Sequence, residues 1–162
     1  MQSRRRLLKA LAGGFGWTLL ARFPQAWARE ETFSIVHSDA EWRQILTPVQ
    51  FAVLREQRTE RAYSSPLNDE HRKGVFGCAA CALPLFSSKT KFDSGTGWPS
   101  FSRPFDHAVG ERSDRSLGVA RTEVHCSRCG SHLGHVFDDG PRPTGLRYCM
   151  NGVALTFTPE SA

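Results

Sequence analysis

Two pairs of cysteines constrain this chain more than any other feature of its sequence. The stretch GCAAC contains Cys78 and Cys81, and the stretch HCSRCG contains Cys126 and Cys129. Two residues between cysteines let a tight turn aim both sulfur atoms at one point, and two such turns complete the tetrahedral four-thiolate shell that suits Zn²⁺. We therefore predict one structural zinc ion, bound by protein at all four positions, with no open position for catalysis.

The separation of the two pairs indicates what this metal would join. Between Cys81 and Cys126 lie 44 residues, more than in small zinc modules, so the ion would hold together two hairpins of one domain. Two alternatives use the same thiols, namely disulfide bonds in an oxidising compartment and a redox role for a single CxxC motif. We favour zinc because the motif is duplicated and neither copy lies beside a βαβ pattern.

The residue pattern of the remaining sequence indicates a mainly β fold. From about Val75, glycine and proline recur every few residues and the apolar segments between them are short, which is typical of short strands joined by turns. We predict an antiparallel β domain over residues 75–158, and the pattern leaves open whether it is a small sandwich or barrel-like.

The segment before this β domain has two helix start signals. In SDAEWRQIL, Ser38 is followed three positions later by Glu41, and in TPVQFAVLREQ, Thr47 is followed by Gln50. Each pair is a capping box, so we predict two short N-terminal helices that pack on the β domain or across one end of it.

The first 28 residues have the pattern of an export leader. Residues 1–28 combine an arginine cluster, an apolar run and a small-x-small site that ends at Ala28. The serine and paired arginines resemble the bacterial twin-arginine type. A membrane anchor is disfavoured because the apolar run is shorter than the roughly 20 residues that a spanning helix needs. We predict cleavage after Ala28 and a periplasmic single domain, residues 29–162 with a core of about 38–158, without stable membrane insertion.

The leader also accounts for the positive charge of the chain. The sequence has 21 basic and 16 acidic residues, and residues 1–28 hold five of the basic ones and none of the acidic ones. The remaining 134 residues are therefore balanced at 16 of each sign. An excess of positive charge would suggest nucleic acid or an anionic membrane as a partner. We predict no nucleic-acid partner, because the excess belongs to the leader alone.

The fifth cysteine stands apart from the two pairs. Cys149 lies in GLRYCMNGVALTF, with Arg147 two residues before it and Asn151 two residues after it. In a strand these three side chains would share one face. A free cysteine is most often a small buried hydrophobe, but a nearby guanidinium favours the thiolate, which is the nucleophilic form. We therefore predict that Cys149 is reactive.

Two further stretches offer polar and aromatic groups. SHLGHVFDD contains His132 and His135 as candidate acids or bases, although isolated histidines are more often structural. DSGTGWPSF places Trp98 in a glycine- and proline-rich loop. A ring in such a loop can stand exposed as a pocket wall, and it can equally anchor the loop to the core.

The stretches CAACALPLFSSKTKFDSGTGWPSF and RTEVHCSRCGSHLGHVFDDGPRPTGLRYCMNGVALTF resemble the methionine-R-sulfoxide reductases. The resemblance runs from roughly Ser38 to Phe157. It implies a mainly antiparallel β fold with short N-terminal helices, and reduction of methionine-R-sulfoxide, free or in oxidised proteins and peptides. It also implies roles for the candidate residues: Cys149 as nucleophile, Cys78, Cys81, Cys126 and Cys129 as structural zinc ligands, Trp98 as the wall for the substrate methyl group, and His132, His135, Arg147 and Asn151 around the sulfoxide and nucleophile.

The implied chemistry suits these residue types. A thiolate attacks the sulfoxide sulfur, the oxygen leaves only when an acid such as His135 protonates it, and Cys149 becomes a sulfenic acid. Two other functions are open to the residues alone. One is a non-catalytic zinc-stapled β domain that binds a partner, and the other is a thiol peroxidase with the same nucleophile.

The chain departs from the family pattern at three positions. Many members have a cysteine where this chain has Thr96, and a threonine cannot form the disulfide that would resolve the sulfenic acid. We therefore predict one redox cysteine, recycled by an external thiol or a thioredoxin-like protein. Met150 and Gly152 also differ from the usual residues. We expect Met150 to point to the strand face opposite Cys149, while loss of a serine hydroxyl at Gly152 alters the local hydrogen bonding.

Overall fold

Residues 31–116 and 118–161 are described by a computed structural model of the protein. The predicted export leader, residues 1–28, lies outside these ranges. In the described part of the chain, no helix is long and apolar enough to span a membrane.

Both predicted helices form, and both begin where the capping boxes place them. Helix α1 spans Asp39–Ile45 and helix α2 spans Pro48–Leu54. In each box the cap hydroxyl accepts a hydrogen bond from the backbone of the third helical residue, whose own side chain bonds back to the cap backbone. These reciprocal bonds satisfy amide groups that a helix start leaves without partners.

The rest of the described chain is mainly antiparallel sheet, which confirms the predicted fold class. The strands are β1 (Gly74–Cys78), β2 (Pro84–Ser87), β3 (Lys91–Phe92), β4 (Ser100–Phe101), β5 (Val109–Asp114), β6 (Arg121–Cys126), β7 (His132–Phe137), β8 (Arg147–Met150) and β9 (Leu155–Pro159). Short 3-10 turns occupy Pro66–Asp69, Ser88–Thr90 and Gly152–Ala154. A small sheet has the order β2-β1-β9, and a large sheet has the order β3-β4-β8-β7-β6-β5.

The two sheets meet through a cluster of buried aromatic rings. The ring centres of Phe76 on β1 and Phe86 on β2 lie 4.9 and 4.4 Å, respectively, from the ring centre of Phe101 on β4. Phe86 also lies 6.0 Å from the ring of Tyr148 on β8. All four side chains are buried. Because two separate sheets bury their faces against each other, the arrangement is sandwich-like rather than a closed barrel.

The helices pack beside the strands of the large sheet. Trp42, Phe51 and Leu54 are buried, and α2 contacts β7 and the 3-10 turn Gly152–Ala154 that follows β8. The helical segment therefore supports the end of the strand that carries Cys149.

Candidate metal centre and active site

The four paired cysteines come together at the junction of the two sheets. Cys78 ends β1 in the small sheet and Cys126 ends β6 in the large sheet, while Cys81 and Cys129 lie in the turns that follow. The four Sγ atoms all lie within 4.8 Å of one another. The two hairpins thus converge as predicted, and the four cysteines can hold a metal ion.

Distances within this cluster fit a metal better than disulfide bonds. The Sγ atoms of Cys78 and Cys129 are 3.8 Å apart, and those of Cys81 and Cys126 are 3.5 Å apart. A disulfide would bring two sulfurs to about 2 Å. Thiolates in a tetrahedral zinc site lie about 2.3 Å from the metal, which places them about 3.8 Å from each other. The donor set and its spacing therefore match a four-thiolate zinc site.

Cys149 lies on the large sheet, in a row of polar side chains. It pairs with Ser100 on β4 and with His135 on β7, and His135 pairs in turn with Glu123 on β6. Residues directly opposite each other in adjacent strands point to the same face of the sheet. The pairing therefore places a hydroxyl, a thiol, an imidazole and a carboxylate side by side, although they come from four separate strands.

His135, which pairs with Cys149, and His132, whose ring centre lies 5.4 Å from that of His135, are each held by a carboxylate. His135 Nε2 lies 2.8 Å from Asp114 Oδ2, and His132 Nδ1 lies 2.8 Å from Glu123 Oε1. Burial lowers the pKa of His135, and the hydrogen bond with Asp114 opposes this shift. Burial also disfavours ionisation of Glu123, but hydrogen bonds from His132 and Arg112 outweigh it and lower the pKa of Glu123 to about 2.

Asp114 and Glu123 were not identified from the sequence. Both lie in strands with other charged residues, and a carboxylate in a strand is ordinarily a solvated surface group. The available signal was the alternation in RTEVH, which puts Glu123 on the face opposite to Val124. That pattern cannot reveal which histidine the carboxylate meets.

Arg147 and Asn151 contact neighbouring segments. Arg147 binds Asp139 through Nε and one terminal nitrogen, both at 2.8 Å, and its Cζ lies 4.4 Å from the ring centre of Phe137. Asn151 is one residue beyond the end of β8. Its amide nitrogen donates to Leu133 O at 3.0 Å, and its Oδ1 accepts from the backbone of Glu60 at 3.0 Å. The Asn151 side chain therefore fastens the end of β8 to two other segments.

The environment of Cys149 has opposing effects on its acidity. Burial raises the pKa of the Cys149 thiol, and this effect exceeds the opposing influence of Thr96, Arg147 and Ser100. The sequence argument that Arg147 favours the thiolate is therefore correct in sign. Desolvation of the half-buried sulfur outweighs it.

Trp98 serves both as a cleft wall and as a loop anchor. The ring is half-buried and lines a cleft of about 130 Å³ together with Tyr63, His71 and Asp93. Its Nε1 donates a hydrogen bond to the backbone oxygen of Glu60 at 3.2 Å. The two alternatives left open by the sequence thus describe two edges of the same side chain.

Glu60 is a second buried carboxylate that sequence analysis missed. Its carboxylate accepts hydrogen bonds from the backbone amides of Gly152 and of Val153, the latter at 3.1 Å. Burial raises the pKa of Glu60, while these two bonds oppose the shift. The backbone of Glu60 also contacts Trp98 and Asn151. Glu60 therefore connects the cleft wall to the end of β8, the strand that carries Cys149.

The positions that depart from the family pattern fit their surroundings. Met150 is fully buried in the core, as expected for the strand face opposite Cys149. At Gly152 an added Cβ would lie 1.9 Å from Ser65 Oγ, so the backbone leaves no room for a serine. The hydrogen bonding there is provided by the Gly152 amide and the Glu60 carboxylate.

Comparison with known proteins gives a consistent result. A family model described as SelR domain matches residues 46–159. The peptide methionine sulfoxide reductase MsrB of Thiobacillus denitrificans is 58% identical over 124 residues, which cover 76% of this chain and 94% of that protein. MsrB of Leptospira interrogans is 51% identical over 129 residues, covering 79% of this chain and 98% of the relative. Among solved structures, the Mis18 'Yippee-like' domain is more distant: it covers 56% of this chain and 100% of its own, at 19% identity and a TM-score of 0.46.

Proposed function

The chain belongs to the SelR-domain family of MsrB peptide methionine sulfoxide reductases, and we propose that it reduces methionine-R-sulfoxide with Cys149 as the nucleophile. Reduction of methionine sulfoxide is the activity of this family, and a thiol reductant supplies the electrons. Family membership also disfavours the non-catalytic binding domain. The observation that carries the assignment of Cys149 is its direct pairing with His135 across β7 and β8.

The proposed step transfers oxygen from substrate to protein. The Cys149 thiolate attacks the sulfoxide sulfur, the sulfur–oxygen bond of the substrate breaks, and a new sulfur–oxygen bond forms at Cys149. Two electrons pass from the cysteine sulfur to the substrate sulfur. The proton held by His135 reaches the departing oxygen, directly or through water, so the products are methionine and Cys149 sulfenic acid. Trp98 would contact the substrate methyl group and so orient the oxygen.

Substitution Cys149→Ser tests the nucleophile. We expect reduction of methionine-R-sulfoxide to disappear, because a serine hydroxyl is not ionised at neutral pH, while metal content stays at one ion per chain. Activity near the wild-type level in Cys149→Ser would show that another group attacks the substrate.

We propose that the metal held by the four paired cysteines is one structural Zn²⁺. The sulfur spacing and the purely thiolate donor set support this identity. When bound, the ion would link the two hairpins without taking part in the reaction, because protein thiolates fill all four positions. Elemental analysis of purified protein should return one zinc per chain. A different metal, or none, would contradict the assignment.

We propose that recycling of Cys149 depends on an outside thiol. Thr96 stands 3.9 Å from the Cys149 sulfur, where a cysteine could resolve the sulfenic acid. One external thiol would condense with the sulfenic acid to release water and form a mixed disulfide. A second thiolate would then release Cys149 and leave a disulfide on the reductant, which an exported thioredoxin-like protein could provide.

Thiol counting over one turnover tests this recycling route. With substrate and no reductant, we expect loss of one titratable thiol per chain, as a sulfenic acid, and no internal disulfide. Loss of two thiols, with a disulfide found by peptide mass analysis, would contradict it.

We propose that residues 1–28 are a twin-arginine-type leader and that the mature enzyme repairs oxidised proteins in the periplasm. The basic cluster, apolar run and small-x-small site support the proposal. In a bacterial host with this export system, we expect periplasmic protein beginning at Arg29. Replacing Arg4, Arg5 and Arg6 by lysine should keep the protein in the cytoplasm. Unchanged export of that variant would contradict a twin-arginine route.

A further inference from the structure

Three hydroxyl groups connect the Cys149 sulfur to the backbone of the cleft wall. Thr96 Oγ1 lies 3.9 Å from Cys149 Sγ, and Ser94 Oγ lies 2.8 Å from Thr96 Oγ1. Ser100 Oγ lies 2.7 Å from Ser94 Oγ and 3.1 Å from the carbonyl oxygen of Trp98. Ser100 is fully buried and the other hydroxyls are partly buried. This row of hydroxyl groups therefore runs through the interior of the protein rather than over its surface.

Counting hydrogens gives one consistent arrangement when Cys149 is a neutral thiol. Each hydroxyl has one hydrogen to donate and can accept at least one hydrogen bond. The Cys149 thiol donates to Thr96, Thr96 donates to Ser94, Ser94 donates to Ser100, and Ser100 donates to the Trp98 carbonyl. Every hydrogen in the row then has an acceptor.

The thiolate requires the opposite arrangement. A thiolate has no hydrogen and can only accept, so Thr96 must turn its hydroxyl toward the sulfur. Ser94 then donates to Thr96, and Ser100 donates to Ser94. These changes need only rotation of three hydroxyl groups about their C–O bonds. The Trp98 carbonyl is the group that loses its donor.

We propose that Thr96, Ser94 and Ser100 form a reversible hydrogen-bond chain that stabilises Cys149 as both thiol and thiolate by reversing its direction. Thr96 is a catalytic residue, because its hydroxyl contacts the reacting sulfur. Ser94 is a positioning residue that acts through Thr96. Ser100 supports Ser94 in the same way, and it also lies directly beside Cys149 as its partner across β4 and β8. The catalytic part of this inference rests on the proposed role of Cys149 as nucleophile.

The surroundings of Cys149 explain why such a chain is needed. Burial raises the pKa of the thiol, so the thiolate lacks part of its hydration. The charged and titratable groups facing Cys149 are Arg147 on the same strand and His135 on β7. Arg147 has two hydrogen bonds to Asp139, and His135 uses Nε2 to bind Asp114. The hydroxyl chain adds a donor that carries no net charge.

The test compares the ionisation of Cys149 in Thr96→Val and Thr96→Ser. The rate of Cys149 alkylation by iodoacetamide, followed by mass analysis of the peptide that contains it, reports the thiolate fraction across a pH series. Thr96→Val removes a hydrogen bond to a charged group. We therefore expect the alkylation rate at neutral pH to fall about tenfold, and the midpoint of the rate-against-pH curve to rise by about one pH unit. Thr96→Ser should retain the wild-type profile, because it keeps the hydroxyl.

Controls separate this inference from a change in folding and from failure of the proposed function. Thr158→Val removes an exposed hydroxyl from the small sheet and should leave the profile unchanged. If Thr96→Val loses zinc or unfolds, Ser94→Ala is measured in its place and should give a smaller shift in the same direction. The proposed hydrogen-bond chain would be refuted if Thr96→Val and Ser94→Ala both gave the wild-type dependence of alkylation rate on pH. It would also be refuted if Thr96→Ser gave the same dependence as Thr96→Val. Activity of Cys149→Ser would instead refute the nucleophile, while the titration would still decide whether the chain acts.

Discussion

At the scale of single residues, burial shifts the pKa values of Cys149 and His135 in opposite directions. Burial disfavours charge, so it raises the pKa of the thiol and lowers the pKa of the imidazole. The proposed reaction needs the thiolate and the imidazolium together, which is then a minority state. The population of this state is constant between the pKa of His135 and the higher pKa of Cys149. Below the pKa of His135 the population falls because the thiolate is lost. Above the pKa of Cys149 it falls because the imidazolium is lost.

Substitution Asp114→Asn tests this acid assignment. Asp114 raises the pKa of His135, so its removal should lower that pKa further and reduce the imidazolium fraction. We expect the plateau of kcat/KM to fall about tenfold for each unit of pKa lost, and the acidic limb to move to lower pH. Steady-state kinetics over a pH series measure both. The exposed Asp106→Asn serves as control, and a plateau and limb unchanged in Asp114→Asn would contradict the assignment.

At the scale of elements, strand register decides which groups meet Cys149. β7 and β8 align His135 with Cys149 and Gly134 with Met150. An added Cβ at Gly134 would lie 2.1 Å from the Cys149 backbone oxygen, so the two strands can approach this closely only with glycine there. A shift by one residue would turn His135 to the opposite face.

Glu60 acts at this same scale, because it joins an irregular segment to the end of β8. Glu60→Ala removes the acceptor for two backbone amides and leaves them without a partner in a buried site. We expect the free energy of unfolding to fall by about 2–4 kcal/mol, as measured by denaturant titration. Glu60→Gln retains one acceptor oxygen and should lose less.

The matched control for Glu60 is Glu160→Ala, which removes an exposed carboxylate near the end of the small sheet. Its stability should stay within about 0.5 kcal/mol of the wild type. If Glu60→Ala is equally mild, the two amides have found other partners, and the proposed link between cleft wall and strand end is wrong.

At the scale of the whole molecule, two side-chain clusters in the described residues help to join the two sheets. One is the aromatic cluster around Phe101, and the other is the group of four cysteines at the ends of β1 and β6. The aromatic contact is non-directional, whereas a metal would fix the distance between two hairpins. With the proposed metal bound, the four-cysteine site would therefore constrain how the sheets sit beside each other.

Removal of the proposed zinc ion should weaken this junction. Without a cation, repulsion disfavours four thiolates within 4.8 Å of one another, so loss of the metal leaves protonated cysteines that no longer link the two hairpins. We expect chelation to lower the free energy of unfolding by several kcal/mol, up to about 10, with a clear fall in Tm by calorimetry. Cys149→Ser, which leaves the four ligands intact, should melt close to the wild type. An unchanged Tm after complete zinc removal would show that the aromatic cluster alone holds the sheets together.

The sequence by itself determined the features that depend on neighbouring residues. Both helix starts follow from capping pairs three residues apart, and each CxxC turn follows from its own spacing. The absence of a cysteine at Thr96 can likewise be read directly, and the family resemblance supplied the candidate residues of the site. The helix starts and the convergence of the four paired cysteines are confirmed, because these patterns of residue types are local and specific. The roles of the other candidate residues stay predictions.

Only the tertiary structure decided how those residues are supported. Asp114 meets His135 across 21 positions of chain, and Glu60 reaches Gly152 across 92. No periodicity within a segment encodes such pairs, because they arise from strand register and from loops that cross the sheet. The pKa of Cys149 is a further case: Arg147 beside it in sequence favours the thiolate, but the desolvation that outweighs it is the sum of everything packed around the sulfur.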